Sequence, residues 1–459
     1  MTFIKKENEC RVLSTTAILG YGYPLKSFYR GIKKNPHLIA VDAGSTDPGP
    51  YYLGSGKSFT NRAAVKRDLR YMIKEGVKRK IPVVIGSGGG SGARPHVDWC
   101  EAIIREIADE EKIGFSLGII YADIEKTAVK KALVLKKIKP LACVPALKKE
   151  AVEQTTYIVA QMGMEPIISM LGKKCDVILC GRCYDPAVFA ALPVMRGFDP
   201  GLCLHMGKIL ECASIAATPG SGSDCALGIV KEKSFILETL NPIRKFTKTS
   251  AAAHTLYEKS DPSHLPGPGG EINLENTVFR ELPGGRVEIS GSRFVPSRDY
   301  WIKLEGARPA GFRTISVSAT RDPVMIREID GIFKSVDRQV KSFLQKEKIR
   351  GSVQFLVYGK NGVMGEMEPV KKILSHELAI VINASGESQS AADSLCGLTR
   401  SSLLHYGYRG RISTAGNLAF PFSPSDAQMG QIYEFSIYHI MQISDQNIFR
   451  KTIKRMGKK

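Results

Sequence analysis

The sequence predicts an α/β protein with mainly parallel sheets and flanking helices, arranged as two α/β units and a looser middle region that contains β-structure. Short apolar runs rich in β-branched residues alternate with helix-like segments in the first part of the chain, and this alternation returns in the last third. Strands that alternate with helices imply a parallel sheet with right-handed crossovers. At 459 residues the chain exceeds what one core usually supports, so we expect two or three domains.

Residues 1–192 are the expected N-terminal α/β domain. Proline near the start of its first helix fits the first helical turn. The run at 81–85 is β-branched and uncharged, which favours a buried strand. The pattern predicts strands at 11–18, 38–41, 81–85, 115–121 and 176–180, and helices at 24–33, 62–78, 97–111 and 157–171.

Glycine and proline clusters make residues 193–298 a loop-rich middle region. Within it we expect a helix at 204–217 and a β-hairpin at 279–294, around Pro283-Gly284-Gly285.

Residues 299–459 are the expected second α/β unit. The segment 429–443 is amphipathic and aromatic, which indicates packing on the body of the protein. The pattern predicts strands at 300–304, 314–318, 352–358 and 377–383, and helices at 324–344 and 391–405.

A glycine-rich segment, KIPVVIGSGGGSG, occupies residues 80–92 between an expected strand and an expected helix. Glycines let backbone N–H groups approach a ligand closely, and the N-terminus of the following helix favours an anion. We therefore predict that Gly88, Gly89 and Gly90 bind substrate. The spacing matches neither the dinucleotide-binding fingerprint nor a Walker A motif, and the alternative interpretation is a flexible surface loop.

Polar residues collect just after the ends of the expected parallel strands. In an open parallel sheet these ends share one crevice, where ligands bind. Two carboxylates near one ligand could hold a divalent cation or serve as acid and base, whereas a single aspartate more often caps a helix or forms an Asx-turn. The residues concerned are Asp42, Thr46, Asp47, Asp123, Arg182 and Asp185.

His205 and Glu211 lie six residues apart on the expected helix at 204–217. Side chains at i and i+6 do not share a helix face, so their spacing does not make them a metal pair. Both remain candidates for proton transfer.

The formal net charge of +20 favours an anionic partner. A nucleic-acid surface would usually place aromatic residues and arginine among the lysines, and no RNA- or DNA-binding motif accompanies the lysine runs. We therefore expect an anionic small molecule, such as a carboxylate or a CoA thioester, and no nucleic acid.

The N-terminal residues have no apolar run before a cleavage site, and no segment approaches the roughly 18 apolar residues of a membrane span. We expect a cytoplasmic protein without a membrane partner, and its ten cysteines indicate reduced thiols. Cys175, Cys180 and Cys183 match the spacing of some iron–sulfur sites. We reject that interpretation because Cys175 and Cys180 lie along one expected strand, on which alternate residues face opposite sides.

The chain resembles the acyclic terpene utilisation (AtuA) family from its first expected strand to Ile443. As an ordered set, the motifs that carry the resemblance are fairly specific. They are CDVILCGRCYDPAVFAALP, HMGKILECA, SAAAHTLYEKSDP, DYWIKLEGARPAGFRTISVSATRDP, AGNLAFPFSPSD and GQIYEFSIYHIMQI. The founding members belong to gene clusters that degrade branched acyclic terpenes through carboxylic acids and CoA thioesters, so the resemblance implies a substrate class more than a reaction.

The family's Gly-Arg-x-x-Asp pattern falls on Gly181, Arg182 and Asp185, and its Gly-x-x-x-Glu-Cys pattern on Gly207, Glu211 and Cys212. The family commonly has a hydroxyl residue where this chain has Cys180. Asn417 and Ser423, in the motif AGNLAFPFSPSD, are further candidates for substrate binding. Some relatives carry an additional C-terminal ferredoxin-like domain that this sequence does not show, so a separate small subunit is a candidate partner, and we also expect a homo-oligomer.

These residues suggest addition or removal of water next to a carboxylate or thioester. Arg182 would bind a substrate carboxylate bidentately, and the glycine loop would stabilise an oxyanion. Asp42, Asp47, Asp185 or Glu211 would transfer protons, with His205 in reserve. This chemistry requires no redox cofactor, and the sequence leaves the need for a divalent cation open.

Two alternatives remain open. A hydrolase of a thioester, lactone or amide would use the same crevice with an activated nucleophile, for which Cys183 or Ser385 are the candidates. A non-catalytic subunit would use the crevice only to hold a metabolite.

Overall fold

The computed structural model describes residues 8–457 and confirms the α/β fold class. Residues 1–7 and 458–459, at the outer ends of the expected first and last domains, lie outside the described residues. The chain forms two compact units. The first contains the described residues up to Arg308 and those from Phe435 onward, and the second is Pro309–Glu434.

The strands are numbered in chain order. Strands β15 and β18 each run from one unit into the other. The strands are β1 (Cys10–Ser14), β2 (Leu38–Asp42), β3 (Val83–Gly86), β4 (Phe115–Ile120), β5 (Ile138–Pro140), β6 (Tyr157–Ala160), β7 (Val177–Cys180), β8 (Ala226–Val230), β9 (Ser234–Thr239), β10 (His264–Gly267), β11 (Gly270–Asn273), β12 (Val278–Leu282), β13 (Arg286–Ser290), β14 (Arg293–Pro296), β15 (Tyr300–Thr320), β16 (Gly351–Tyr358), β17 (Leu378–Gly386), β18 (Asp426–Ile443) and β19 (Lys451–Met456).

The α-helices are numbered in the same way. No helix within residues 8–457 combines the length and the apolarity needed to cross a bilayer. The helices are α1 (Leu25–Lys33), α2 (Pro50–Ser55), α3 (Arg62–Arg79), α4 (Arg94–Glu110), α5 (Lys126–Val134), α6 (Lys149–Gln154), α7 (Glu165–Gly172), α8 (Asp185–Met195), α9 (Pro200–Leu210), α10 (Lys248–Thr255), α11 (Pro323–Glu347) and α12 (Gln389–Leu404).

The first unit is built on a ten-stranded sheet in the order β12-β13-β9-β8-β1-β2-β3-β7-β4-β19. Its centre, from β1 to β4, is parallel, and the strands on both sides pair antiparallel. Along β2, Leu38 and Ala40 face one apolar core while Ile39 and Val41 face another. Burial of both faces explains why these strands are apolar throughout rather than alternating.

The residues that composition marks as a loop-rich region contribute four strands, β8, β9, β12 and β13, to this sheet. The hairpin expected around Pro283-Gly284-Gly285 is present as β12 and β13, paired with Leu282 opposite Arg286. The expected helix at 204–217 is shorter, because α9 ends at Leu210 and a 3₁₀ turn follows at Ala213–Ala216. A separate antiparallel sheet, β10-β11-β14, lies in the same unit.

One predicted helix is wrong, and one amphipathic segment, for which the sequence predicted packing but no type of structure, is a strand. The expected helix at 157–171 is strand β6 followed by helix α7, because Tyr157–Ala160 pairs with β15 and the helix begins only at Glu165, before Pro166. The amphipathic segment at 429–443 is part of strand β18, in which Ile437, His439 and Met441 are buried in alternation. Pairing with distant strands, which short-range patterns do not report, decided both cases.

The second unit packs α11 and α12 against an antiparallel sheet. Strand β17 pairs with β16 on one side and with residues 312–320 of β15 on the other. The expected strands at 300–304 and 314–318 are thus parts of one long strand. Apolar residues of both helices and of β17 form the core of this unit.

Gly92 provides a test of how closely the chain packs after β3. Its φ is +68°, and an added Cβ would lie 2.2 Å from the backbone nitrogen of Arg182. Gly197 has a similar φ of +87° but no atom within 4 Å of the same position. We expect Gly197→Ala to cost about 1–2 kcal/mol through the left-handed backbone alone, and Gly92→Ala to cost clearly more in denaturant unfolding. Equal losses for the two variants would contradict this account.

Candidate functional site

The polar residues expected in one crevice lie at one edge of the parallel sheet. Strands β2, β3 and β7 are parallel neighbours, so their carboxyl ends meet at the same edge. Asp42 ends β2, Arg182 follows β7, and Asp185 begins α8. Gly86, opposite Asp42 in the ladder, leaves room for its carboxyl, because a Cβ there would lie 2.9 Å from Asp42 Oδ1.

A buried ion pair joins Arg182 to Glu305 of β15. Arg182 is 3% exposed and Glu305 is fully buried, and Nε of Arg182 donates to Oε2 of Glu305 at 2.8 Å. The Lys303 ammonium lies 2.8 Å from Oε1 of Glu305, and the Thr46 hydroxyl donates to the same oxygen at 3.1 Å. Burial alone would raise the pKa of Glu305, but the charges of Arg182 and Lys303 outweigh it and lower that pKa to about 2.

Through Nη1, the Arg182 guanidinium also forms an ion pair with Asp185. Nη1 of Arg182 donates to Oδ1 of Asp185 at 2.7 Å and to the Cys183 carbonyl at 2.9 Å. A bidentate pair with a substrate carboxylate would need two adjacent N–H groups, and Nε and Nη1 already bind the protein. The expected bidentate role of Arg182 therefore does not fit this geometry, which assigns Arg182 to positioning Asp185.

Asp42 is a buried carboxyl without a counter-ion of its own. It is 6% exposed, its Oδ2 accepts from the backbone N–H of Gly44 at 3.2 Å, and its Oδ1 has no hydrogen-bond partner among the described residues. Burial, followed by the nearby charge of Asp185, raises the pKa of Asp42 well above its usual range. Burial and the charge of Asp185 therefore both favour the protonated form of Asp42.

Glu211, which follows α9, is the third carboxyl of this cluster. It forms an ion pair with Lys208, one turn earlier, while its Oε2 is buried without a partner among residues 8–457. Burial raises the pKa of Glu211 to about 7, against the opposing effect of Lys208, and the charge of Asp185 contributes to the rise. Glu211 can therefore release or accept a proton near neutral pH.

Sequence reasoning missed three further groups around Glu211. The Tyr184 hydroxyl and Nε2 of His254 are buried without partners in the described part of the chain. Lys259 Nζ lies 5.9 Å from the centre of the Tyr184 ring, and burial together with the charge of Lys208 lowers the pKa of Lys259. His254 and Lys259 stand in the family-like motif SAAAHTLYEKSDP, which was the available signal.

The glycine loop after β3 is buried and packed rather than open to a ligand. The Gly88 N–H donates to the Cys180 carbonyl and the Gly90 N–H to the Ser87 carbonyl, both at 2.8 Å. These two backbone N–H groups therefore already donate hydrogen bonds within the protein. Gly89 has a φ of +68°, and a Cβ there would lie 2.7 Å from Cβ of His96, so it too is needed for close packing. In this geometry the loop supports Arg182, whose Nη1 lies 3.3 Å from the Ser87 hydroxyl.

The remaining strand-end candidates take separate positions. Asp47 is exposed and accepts from the Ser45 hydroxyl at 2.6 Å. Asp123 accepts from the backbone N–H of Arg94 at 3.0 Å, which caps the start of α4. Burial raises the pKa of Asp123 to about 6. Thr46 donates through its hydroxyl to Glu305.

His205 is fully buried, with both ring nitrogens bonded. They lie 2.6 Å from the Ser292 hydroxyl and 2.9 Å from the Thr255 hydroxyl, and burial lowers the pKa of His205 to about 3. The ring is therefore neutral, and this geometry indicates a structural role.

Asn417 and Ser423 lie in the second unit. Asn417 donates through its side chain to the Tyr406 carbonyl at 2.8 Å, which orders the segment after α12, and Ser423 is exposed. Ser385, a nucleophile candidate of the hydrolase alternative, is paired within the ladder of β17 opposite Arg313.

The cysteines at the end of β7 and just after it, Cys180 and Cys183, are buried. All ten are free thiols, and Cys183 is buried with its Sγ donating to the Gly181 carbonyl at 3.3 Å. Within residues 8–457, no three histidine, cysteine or acidic side chains are grouped as metal ligands.

Comparison with known proteins gives one match. Residues 56–221 match the family model described as acyclic terpene utilisation family protein AtuA. That range contains the glycine loop, Arg182, Asp185 and Glu211, but neither Asp42 nor Glu305. No curated protein and no solved structure matches the chain.

The Arg182–Glu305 pair gives a prediction about stability. Glu305→Gln would leave the charges of Arg182 and Lys303 undercompensated in the interior, so we expect a loss of about 3–5 kcal/mol in denaturant unfolding. Glu106→Gln is the matched control, because Glu106 also contacts two cations, Arg62 and Lys66, but at the surface. It should change stability little. Similar losses for the two variants would contradict the structural importance of the buried pair.

Proposed function

We propose that this chain, whose residues 56–221 match the acyclic terpene utilisation (AtuA) family model, is a catabolic enzyme acting on a branched or unsaturated carboxylic acid or its CoA thioester. The family match supports a role in acyclic terpene utilisation. The proposed reaction is the addition or removal of water next to the carbonyl group. The alternatives are hydrolysis of a thioester, lactone or amide, and binding without conversion.

The observation that carries the proposal is the cluster of three carboxyls, Asp42, Asp185 and Glu211. Asp42 and Glu211 are buried and Asp185 is half-buried, and the charge of Asp185 raises the pKa values of both buried carboxyls. The three carboxyls have different surroundings. Asp185 is held by Arg182, burial raises the pKa of Asp42 well above its usual range, and burial raises the pKa of Glu211 to about 7. Titratable neighbours whose environments push their pKa values apart are typical of a general acid and a general base.

Removal of water needs both a general base and a general acid. Glu211 would take a proton from the carbon next to the carbonyl, and the electron pair of that bond would form the new double bond. The hydroxyl on the next carbon would leave with its bonding pair, take the proton of Asp42, and depart as water. Addition of water is the same sequence reversed.

Negative charge develops on the carbonyl oxygen during this reaction and needs a donor. We assign that role to Lys259, which is half-buried beside Tyr184 and influences the pKa of Glu211. The charge of Asp185, which Arg182 holds in place, contributes to the raised pKa values of Asp42 and Glu211.

Mass spectrometry of the substrate and its products identifies the reaction. Purified protein, alone and with a candidate small subunit, is incubated with unsaturated and hydroxylated branched acids and their thioesters. Gain or loss of one water supports the proposal, release of free CoA supports the hydrolase, and saturable binding without conversion supports the binding subunit. If Arg182→Ala and Asp185→Asn both keep full turnover on the identified substrate, the site lies elsewhere.

Glu211→Gln should lower kcat/KM at least about 100-fold, the usual contribution of one acid–base group. In the unsubstituted protein the base form of Glu211 is required, so kcat/KM should rise as the pH passes through about 7. That rise should be absent from the residual activity of Glu211→Gln. Glu275→Gln, an exposed change of the same kind, is the control. An unchanged pH profile in Glu211→Gln would remove Glu211 from the proposed mechanism.

Cys183→Ala separates the proposal from the hydrolase. A hydratase does not use the buried thiol, so we expect kcat within about threefold of the unsubstituted protein, whereas loss of a nucleophile costs several orders of magnitude. Ser385→Ala tests the other nucleophile candidate in the same assay. Loss of activity in either variant, with the fold retained by circular dichroism, would favour hydrolysis.

A further inference from the structure

The first unit contains an apolar cavity outside the carboxyl cluster. Its volume is about 520 Å³, within the range of roughly 300–1,000 Å³ that is usual for small-molecule sites. One wall comes from the three-stranded sheet β10-β11-β14 and includes Gly267 and Val295, and another includes Leu141, Trp301 and Ile440.

Two of the lining residues connect the cavity to the carboxyl cluster. Gly267 packs directly on Tyr184, because a Cβ on Gly267 would lie 2.8 Å from Cζ of that ring. Lys303 lines the cavity and is joined through Glu305 to Arg182. The backbone N–H of Gln161, another lining residue, donates to the Lys303 carbonyl at 2.9 Å, so Lys303 and Gln161 form one polar side.

The charges of the lining favour an uncharged occupant. Lys303 is the cation of the polar side, and its charge is already balanced by Glu305 at 2.8 Å. Glu271, the acidic lining residue, is 36% exposed and lies 4.0 Å from the His264 ring, which places it at the rim. Neither group offers an unbalanced charge to an anion, whereas the walls offer apolar surface.

We propose that this cavity holds the hydrocarbon chain of the acyl substrate, with the functional end of the substrate on the side of Lys303 and Gln161. This inference rests on the proposed function for the identity of the ligand, but the binding step can be measured without turnover. Ile440 and Leu141, which line the apolar wall, would then set the chain length that the site accepts.

The chain supplies its own reporter. It has two tryptophans, Trp99 and Trp301, and Trp301 lines the cavity with Lys139 4.6 Å from its ring centre. In a Trp99→Phe background, the fluorescence of Trp301 alone should change saturably on addition of a medium-chain, methyl-branched primary alcohol. The alcohol has the apolar chain without a charge, so it should bind at least as well as the corresponding acid.

Ile440→Phe narrows the cavity and should raise the Kd of this alcohol at least tenfold. Ile453→Phe is the matched control, because Ile453 lies on β19 and is 49% exposed. It should leave the Kd unchanged. Unchanged binding in Ile440→Phe, binding of the acid but not of the alcohol, or saturable binding in calorimetry without a change in Trp301 emission would each overturn the proposal.

Measurements of turnover distinguish the proposed chain-binding site from the proposed reaction. With the substrate found by mass, Ile440→Phe should raise KM for long chains, leave KM for short chains unchanged and leave kcat within about threefold. Binding in the cavity without any gain or loss of water would support the chain site and refute the proposed reaction. Water exchange with no dependence of KM on chain length would support the reaction and refute the chain site.

Discussion

The buried ion pair between Arg182 and Glu305 is the interaction on which the arrangement of the site depends. Removing two charges from water costs several kcal/mol per ion, and their attraction offsets this only when the remaining hydrogen-bonding capacity is filled. Here other residues supply the remaining hydrogen bonds of both Glu305 and Arg182. Glu305 also accepts from Lys303 and Thr46, and Arg182 also donates to Asp185 and the Cys183 carbonyl.

This constraint explains features that composition alone would assign to a ligand. The glycine loop must pass close to Arg182, and at Gly92 even one carbon would overlap the Arg182 backbone. Ser87 lies within 3.3 Å of both the Arg182 guanidinium and the Cys183 backbone nitrogen. The glycines therefore permit close backbone packing around a buried cation. An apolar pair of similar volume would often be as stable, so retention of the charges is consistent with a functional requirement.

The sequence predicted the parallel centre of the sheet because each of its strands is short, apolar and followed by a helix. It also placed Asp42, Arg182 and Asp185 at one edge, since that follows from parallel topology alone. Glu305 and Lys303 could not be placed in this way. They lie on β15, more than a hundred residues after Arg182, and no local pattern reports which strands pair across such a distance. The same limit caused Tyr157–Ala160, the partner of β15, to be interpreted as part of a helix.

Glu305, Glu211 and Asp42 are all buried carboxyls of one unit, yet their protonation differs. Two cations lower the pKa of Glu305 to about 2. At Glu211 two lysines, of which Lys208 is in contact, only partly offset burial, and at Asp42 burial together with Asp185 prevails. The number of cations that contact each carboxyl therefore accounts for the difference between the lowered pKa of Glu305 and the two raised pKa values. Arg182 gives its N–H groups to Glu305 and Asp185 and leaves Asp42 without a direct donor from it. The charge of Arg182 opposes the rise in the pKa of Asp42, but burial and Asp185 outweigh it. A single buried arginine therefore both fixes the geometry of the site and acts on the carboxyls proposed for proton transfer.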